Sequence, residues 1–238
     1  MGQRDTFTFD DILSSDYDVY ILDAKLNNTP DRDVSTQIIP GRNGEVRIDN
    51  GRYSNIEIPY TCAIVDNADT QFDGLSAALL SKIGYKRLED SLHPEYYRVG
   101  SYIGLIEPTM FDRRNKGVFE LRFNCKPQKY LKSGEKEVSV SGTVKFFNPT
   151  LFASRPLIKV SGTGTISMGG SVVTITQNPG NMVIDCEAED VYSSVTKANY
   201  NSYVTLTNHK FPEIPSGESN VTVSGNISAI VIPRWWTV

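Results

Sequence analysis

The stretch Gly117 to Lys126, GVFELRFNCK, places Phe119, Leu121, Phe123 and Cys125 on one face and Glu120, Arg122, Asn124 and Lys126 on the other. A period of two is the mark of a strand, because successive side chains point to opposite sides of a sheet. One apolar and one charged face specify a half-buried antiparallel strand. Asn55 to Val65 (NIEIPYTCAIV) also reads as a strand. Between the two, Thr70 to Ile83 (TQFDGLSAALLSKI) brings Phe72, Leu75, Leu79 and Ile83 to helical spacing. Thr70 or Asp69 is available as N-cap, and Gly84 is placed to stop the helix. The expectation is a sheet covered by one amphipathic helix.

Downstream the pattern changes. Leu157 to Val160, Val172 to Thr176, Met182 to Cys186, Tyr203 to Thr207, Asn220 to Val223 and Ile227 to Ile232 are short β-rich runs. Turn formers stand between them: Gly162, Gly164, Gly169, Gly170, Asn178-Pro179-Gly180, Pro215 with Gly217, and Gly225. This spacing predicts a β-sandwich or jelly roll. Charge density shifts as well, with 17 Lys and Arg and 20 Asp and Glu in residues 1–132 against 7 and 8 in residues 133–238. A boundary near Ser133-Gly134 follows, and the fold class is mainly β: an α+β N-terminal domain, residues 1–132, then a β-sandwich, residues 133–238.

The chain of 238 residues has a net charge of −4, which argues against a surface built to grip nucleic acid by neutralising phosphates. The opening residues lack the long apolar run of a signal peptide or a membrane span, so membrane insertion is not expected. Cys62, Cys125 and Cys186 are odd in number and widely spaced, and read as small core residues. No metal or cofactor motif is present. The turn PGRNGE, Pro40 to Glu45, lacks the spacing of a phosphate loop and reads as a hairpin or strand start, with Gly41 and Gly44 free to take positive φ.

Three groups remain as candidate chemistry. Asp185, Glu187, Glu189 and Asp190 can supply a solvated edge, a cation site or a carboxylate pair; strand alternation, with Cys186 and Ala188 pointing inward, favours the edge. His93 and His209 sit in no nucleophile motif and read as surface or satisfied histidines. Trp235 and Trp236 are either a C-terminal structural anchor or a weak sugar-stacking site, and adjacent strand residues facing opposite ways disfavour a shared platform. No catalytic constellation emerges, so the chain is not expected to be an enzyme.

Five segments, taken in order, resemble the distal tail protein family of long, non-contractile-tailed phages and prophages. They are PGRNGEVRIDNGRYSN (Pro40 to Asn55), RLEDSLHPEYYRVGSY (Arg87 to Tyr102), GVFELRFNCKPQKYLKSGE (Gly117 to Glu135), NPTLFASRPLIKVSGTGT (Asn148 to Thr165) and PRWWTV (Pro233 to Val238). The resemblance implies a ring-forming N-terminal domain with one helix and a C-terminal galectin-like sandwich projecting outward. It implies a homo-hexameric hub at the virion tail tip, made in the host bacterial cytoplasm. The hub joins the tail tube protein to the tail-tip or tail-associated lysin protein and, in some relatives, to a receptor-binding protein. It needs no cofactor, and DNA passes through without specific binding. A lectin-like adhesin for host-surface carbohydrate is the alternative.

A head-to-tail contact with the right rotation closes into a ring. Arg42, Arg47, Arg52, Arg98, Arg113 and Arg114 offer fork-shaped partners for carboxylates across such an interface. The acidic segments Thr29 to Asp33 and Asp66 to Asp73 are candidates for a lumen that does not hold phosphates.

Overall fold

The computed structural model describes residues 4–105, 108–113 and 115–238. The chain divides into two compact units, with the boundary between Lys129 and Tyr130.

In the first unit the strands are β1 (Phe7–Phe9), β2 (Ile12–Leu13), β3 (Val19–Ala24), β4 (Arg32–Ile38), β5 (Glu45–Tyr53), β6 (Ile56–Ile64), β7 (Lys86–Asp90), β8 (Tyr96–Leu105), β9 (Thr109–Phe111) and β10 (Lys116–Leu131), with helix α1 (Ala68–Leu80) between β6 and β7. The main sheet runs β2-β1-β7-β8-β10-β6-β3. An antiparallel bridge joins Asp5, ahead of β1, to Ile21 of the far strand β3, so this sheet curls back on itself. The register explains the alternation of β10: Phe119, Leu121, Phe123 and Cys125 lie opposite Cys62, Tyr60, Ile58 and Ile56 of β6. All eight are buried. Phe123 is the centre of the core, its ring 5.0 Å from Phe9, 5.9 Å from Phe7 and Tyr60, and 5.7 Å from Tyr102. Tilted and edge-on contacts of this kind are worth about 0.5–1.5 kcal/mol each beyond burial.

The helix forms where its apolar spacing predicts, but its ends differ from the sequence expectation. It starts at Ala68 with neither Thr70 nor Asp69 as cap. Asn67 occupies the cap position in the left-handed region and makes no side-chain cap. Two of the donors at this end are met from outside the helix, Asn67 N–H by Asn115 Oδ1 at 3.0 Å and Ala68 N–H by the Asn115 carbonyl at 3.1 Å. At the other end Ser81 is the C-cap, so Ile83 lies beyond the helix and is 89% exposed. Leu75 and Leu79 are buried, and Phe72 meets Phe119 edge-on at 5.5 Å.

In the second unit the strands are β11 (Val138–Val140), β12 (Thr143–Asn148), β13 (Leu157–Met168), β14 (Ser171–Ile175), β15 (Met182–Asp185), β16 (Asp190–Ser193), β17 (Val204–Leu206), β18 (Gly217–Ile232) and β19 (Trp236–Thr237). The long strands β13 and β18 pair from Leu157↔Ile232 to Ser167↔Thr222. Their outer neighbours change halfway. Around Ile158 and Val231 the order is β16-β15-β13-β18-β11, and around Ile166 and Val223 it is β17-β14-β13-β18-β12. Side chains from both sets form one core, including Val140, Ile158 and Ile184 from the first and Phe146, Ile166 and Val173 from the second. Two layers that share their longest strands over a common core make a sandwich.

Here the glycines depart from the sequence reading. Gly162, Gly164 and Gly225 are not reversals but lie inside β13 and β18, where the strands pass from one layer to the other. Gly164 faces Gly225, and a Cβ on Gly225 would stand 2.9 Å from the Gly164 Cα. Two bare backbones in contact let the paired strands bend together.

Candidate functional site

Strands β4 and β5 form a sheet of their own. The six residues between them, Ile39-Pro40-Gly41-Arg42-Asn43-Gly44, turn the chain with Gly41 at φ 80° and Gly44 at φ 84°, values that a side chain disfavours. The expected hairpin is therefore present. Its base is latched by crossed charge pairs: Arg32 Nη1 donates to Asp49 Oδ2 at 2.9 Å, and Arg52 Nε donates to Asp33 Oδ2. Asn50 and then Arg52 donate to Asp33 and hold its carboxyl below the usual range; the Gly51 N–H and then Arg32 do the same for Asp49.

Beyond this latch the described residues of the arm stand as a separate two-stranded sheet with mostly exposed side chains. Register places Val34, Thr36 and Ile38 with Asp49, Arg47 and Glu45 on one face, and Ser35 and Gln37 with Ile48 and Val46 on the other. Both faces carry exposed aliphatics, with Ile38 75% and Ile48 53% accessible. A lone two-stranded hairpin is at best marginally stable in water, and this one leaves aliphatic side chains exposed on both of its sides.

The arm gathers three of the six arginines singled out from the sequence. Arg42 and Arg47 are exposed near its tip with no carboxylate partner among the described residues, and Arg52 belongs to the latch. Arg113 is exposed in the turn after β9. Arg114 lies outside the described residues. Arg98 is a correction: at 6% exposure it is not a surface group. Alternation along β8 turns Arg98 and Gly100 inward, and Gly100 makes room for the Cys125 sulfur, which would lie 2.7 Å from a Cβ there. Ile38, Ile39 and Ile48 are the residues that sequence reasoning missed. Their only signal is aliphatics on both faces of two adjacent strands without a matching helix or strand to cover them.

In the second unit Asp185 is likewise not a solvated edge. It is 9% exposed and takes a two-pronged contact from Arg234, Nη1 to Oδ1 at 2.7 Å and Nη2 to Oδ2 at 3.2 Å. The strand ends at Asp185, and its Oδ1 also accepts the N–H groups of Glu187 and Ala188, each at 3.1 Å. That turn breaks the alternation, so Ala188 faces solvent while Cys186 stays buried. Glu187 accepts from the Tyr130 hydroxyl at 2.7 Å, and Glu189 lies 3.6 Å from Arg155. Asp190 receives the Asn201 amide at 2.9 Å. Each carboxylate has a structural partner, and this is the geometry of a turn, not of an acid–base pair.

Trp235 is buried against Gly134, and Trp236 stacks on Phe152 at 4.4 Å while donating Nε1–H to the Ala153 carbonyl at 2.9 Å. The two rings do not form one platform. His209 is exposed, whereas His93 is half-buried with Nδ1 3.9 Å from Asp90. Burial pushes the thiols of Cys62 and Cys125 up to about 12 and that of Cys186 higher still. The folded protein is therefore expected to resist iodoacetamide at mildly alkaline pH and to take up one label per cysteine once unfolded, as mass spectrometry will read. Fast native labelling of any one of them contradicts the packing described.

No protein-family model and no curated protein sequence matches the chain. Solved structures do. The chain is similar to the SPP1 Dit (gp 19.1) protein, described as a paradigm of the hub adsorption apparatus in phages infecting Gram-positive bacteria, with TM-score 0.68 and 13% identity over 96% of this chain and 98% of that one. It is also similar to chains of the phage P2 baseplate in its activated conformation, with Ca (TM-score 0.52, 9% identity, 97% and 98% covered) and with Sr (TM-score 0.52, 8% identity, 96% and 98% covered). At these identities the likeness is one of fold, and it extends over nearly the whole chain.

Proposed function

We propose that this chain is a structural hub at the distal end of a long, non-contractile phage tail. Six copies close into a ring that joins the tail tube to the tail-tip or tail-associated lysin protein and to the host-recognition parts. The observation that carries this reading is the β4–β5 arm. A nine-residue strand such as β5 reaches about 30 Å, far enough to lie across a neighbouring copy. Its two uncovered faces and the tip charges of Arg42 and Arg47 suit a head-to-tail contact, in which each subunit gives one arm and receives another. Similarity to a hub protein and to baseplate chains supports the setting.

The lectin-like adhesin reading has less support, because Trp235 and Trp236, its first candidate residues, are both occupied within the second unit. The arm is also the test. Replacing residues 34–50 by an Asn-Gly turn leaves the main sheet and its core intact, so the circular dichroism of the variant should stay that of a folded β protein. Light scattering and electron microscopy, with the tube and tip proteins present, should show sixfold rings for the full chain and monomers for the shortened one. Rings of the shortened chain would remove the arm from assembly and with it the main support for this reading.

A further inference from the structure

The first unit holds a small pocket unrelated to the arm, bordered by Leu26 after β3, by Leu88 and Asp90 of β7, by His93, by Arg98 of β8 and by Lys129. It has room for about three water molecules, and so for one carboxylate group. Its charges do not balance. Arg98 is the most deeply buried of the lining charges, and only one of its donors is accounted for, Nη2–H to the Leu26 carbonyl at 3.1 Å. Nη1 is buried with no acceptor among the described residues.

The one carboxylate in the lining, Asp90, is already engaged on both oxygens. Oδ1 accepts the His93 N–H at 2.8 Å and Oδ2 accepts the Tyr60 hydroxyl at 2.9 Å. Lys129 adds a second positive charge, and its ammonium is held below the usual range by burial first and by Arg98 second. Two cations thus face a single anion, whose hydrogen bonds from the His93 N–H and the Tyr60 hydroxyl come from neutral donors, beside a space lined partly by apolar side chains, where an ion pair is stronger than in water. A guanidinium matches a planar carboxylate through parallel N–H donors, which a single backbone carbonyl cannot replace.

We propose that this pocket binds one carboxylate group between Arg98 and Lys129, supplied either by a small free carboxylate or by an Asp or Glu side chain of another polypeptide. A ligand that binds only the folded state raises the unfolding temperature. Sodium acetate should therefore raise the thermal midpoint of the full chain over sodium chloride of equal ionic strength, saturably, by about 3–6 °C at ten times the dissociation constant. Arg98→Met should abolish the response. Lys129→Met keeps the guanidinium and should move the acetate curve to roughly tenfold higher concentration, the loss of one charge-assisted contact.

No acetate response in the parent, or an equal one in Arg98→Met, overturns the site. Should Arg98→Met not fold, an unshifted curve for Lys129→Met overturns it instead. The source is separated by blocked Gly-Asp-Gly and Gly-Asn-Gly peptides. A response to acetate and to the Asp peptide but not to the Asn peptide identifies a polypeptide side chain as a fitting ligand, and a response confined to acetate identifies a small free carboxylate. Equal responses to the two peptides show that charge is not read and overturn the proposal.

Discussion

Gly162→Ala is expected to destabilise the second unit by about 2–5 kcal/mol, seen as a lower urea midpoint with an unchanged slope. Two costs combine. The residue sits at φ 86°, where an L side chain is strained by about 1–2 kcal/mol. A Cβ there would also fall 2.0 Å from the Asn226 carbonyl oxygen and 3.0 Å from its carbon. That oxygen is part of the β18 backbone and cannot swing away as the end of a flexible side chain can. Gly142→Ala separates the two costs, because φ is 71° with no atom within 4 Å of the new Cβ. It should lose only the conformational part, about 1–2 kcal/mol. If both variants unfold at the same urea concentration, the close approach of β13 and β18 is not as described.

The same glycines mark where the sequence was hard to read. Gly162, Gly164 and Gly225 look like turn formers, and in the short window around each that is the sensible inference. Their role depends on what lies across the strand, a backbone some sixty residues away in the chain, and no local pattern carries that information. Gly134 is similar. It reads as a linker glycine at the domain boundary, yet a Cβ on it would stand 2.3 Å from the Trp235 backbone nitrogen. The two compact units meet between Lys129 and Tyr130, inside the strand β10.

By contrast, the alternation of Phe119 to Cys125 was legible because period two with one charged face has a single structural solution. The helix was legible in its middle for the same reason, and its start was not, since it lies upstream of Asp69 and Thr70, where Asn115, distant in sequence, accepts from the Asn67 and Ala68 N–H groups. Of the candidate site, the turn Pro40 to Glu45 was readable from its glycines. That β4 and β5 stand as an uncovered arm was not, because exposure of both faces is a property of what fails to pack on them. Arg98 was misplaced by treating all arginines as surface groups, a rule that holds for most but not for one on the inward side of a strand.

Asp185→Ala is the second large expected effect, a loss of about 2–4 kcal/mol in the second unit. The substitution removes the two-pronged partner of Arg234, whose side chain is 23% exposed, and leaves the N–H groups of Glu187 and Ala188 without an acceptor. Glu187, 3.8 Å from Arg234, softens the loss. Acid provides an independent reading of the same pair. Burial alone would raise the Asp185 carboxyl; the Arg234 hydrogen bond and charge, with the Ala188 and Glu187 N–H groups, outweigh it and hold the group below its ordinary 3.8. A folded-state value below the unfolded one means that the contribution is complete above about pH 4 and fades as pH falls through the lower, folded-state value. Asp185→Ala should therefore lie well below the parent in stability at neutral pH and converge toward it in acid. Arg234→Ala should do the same, and the double variant should cost less than the sum of the two singles, because each single already removes the two-pronged contact between them. A constant gap between parent and Asp185→Ala down to strong acid would show that the ionised pair contributes nothing and that the turn is held by packing alone.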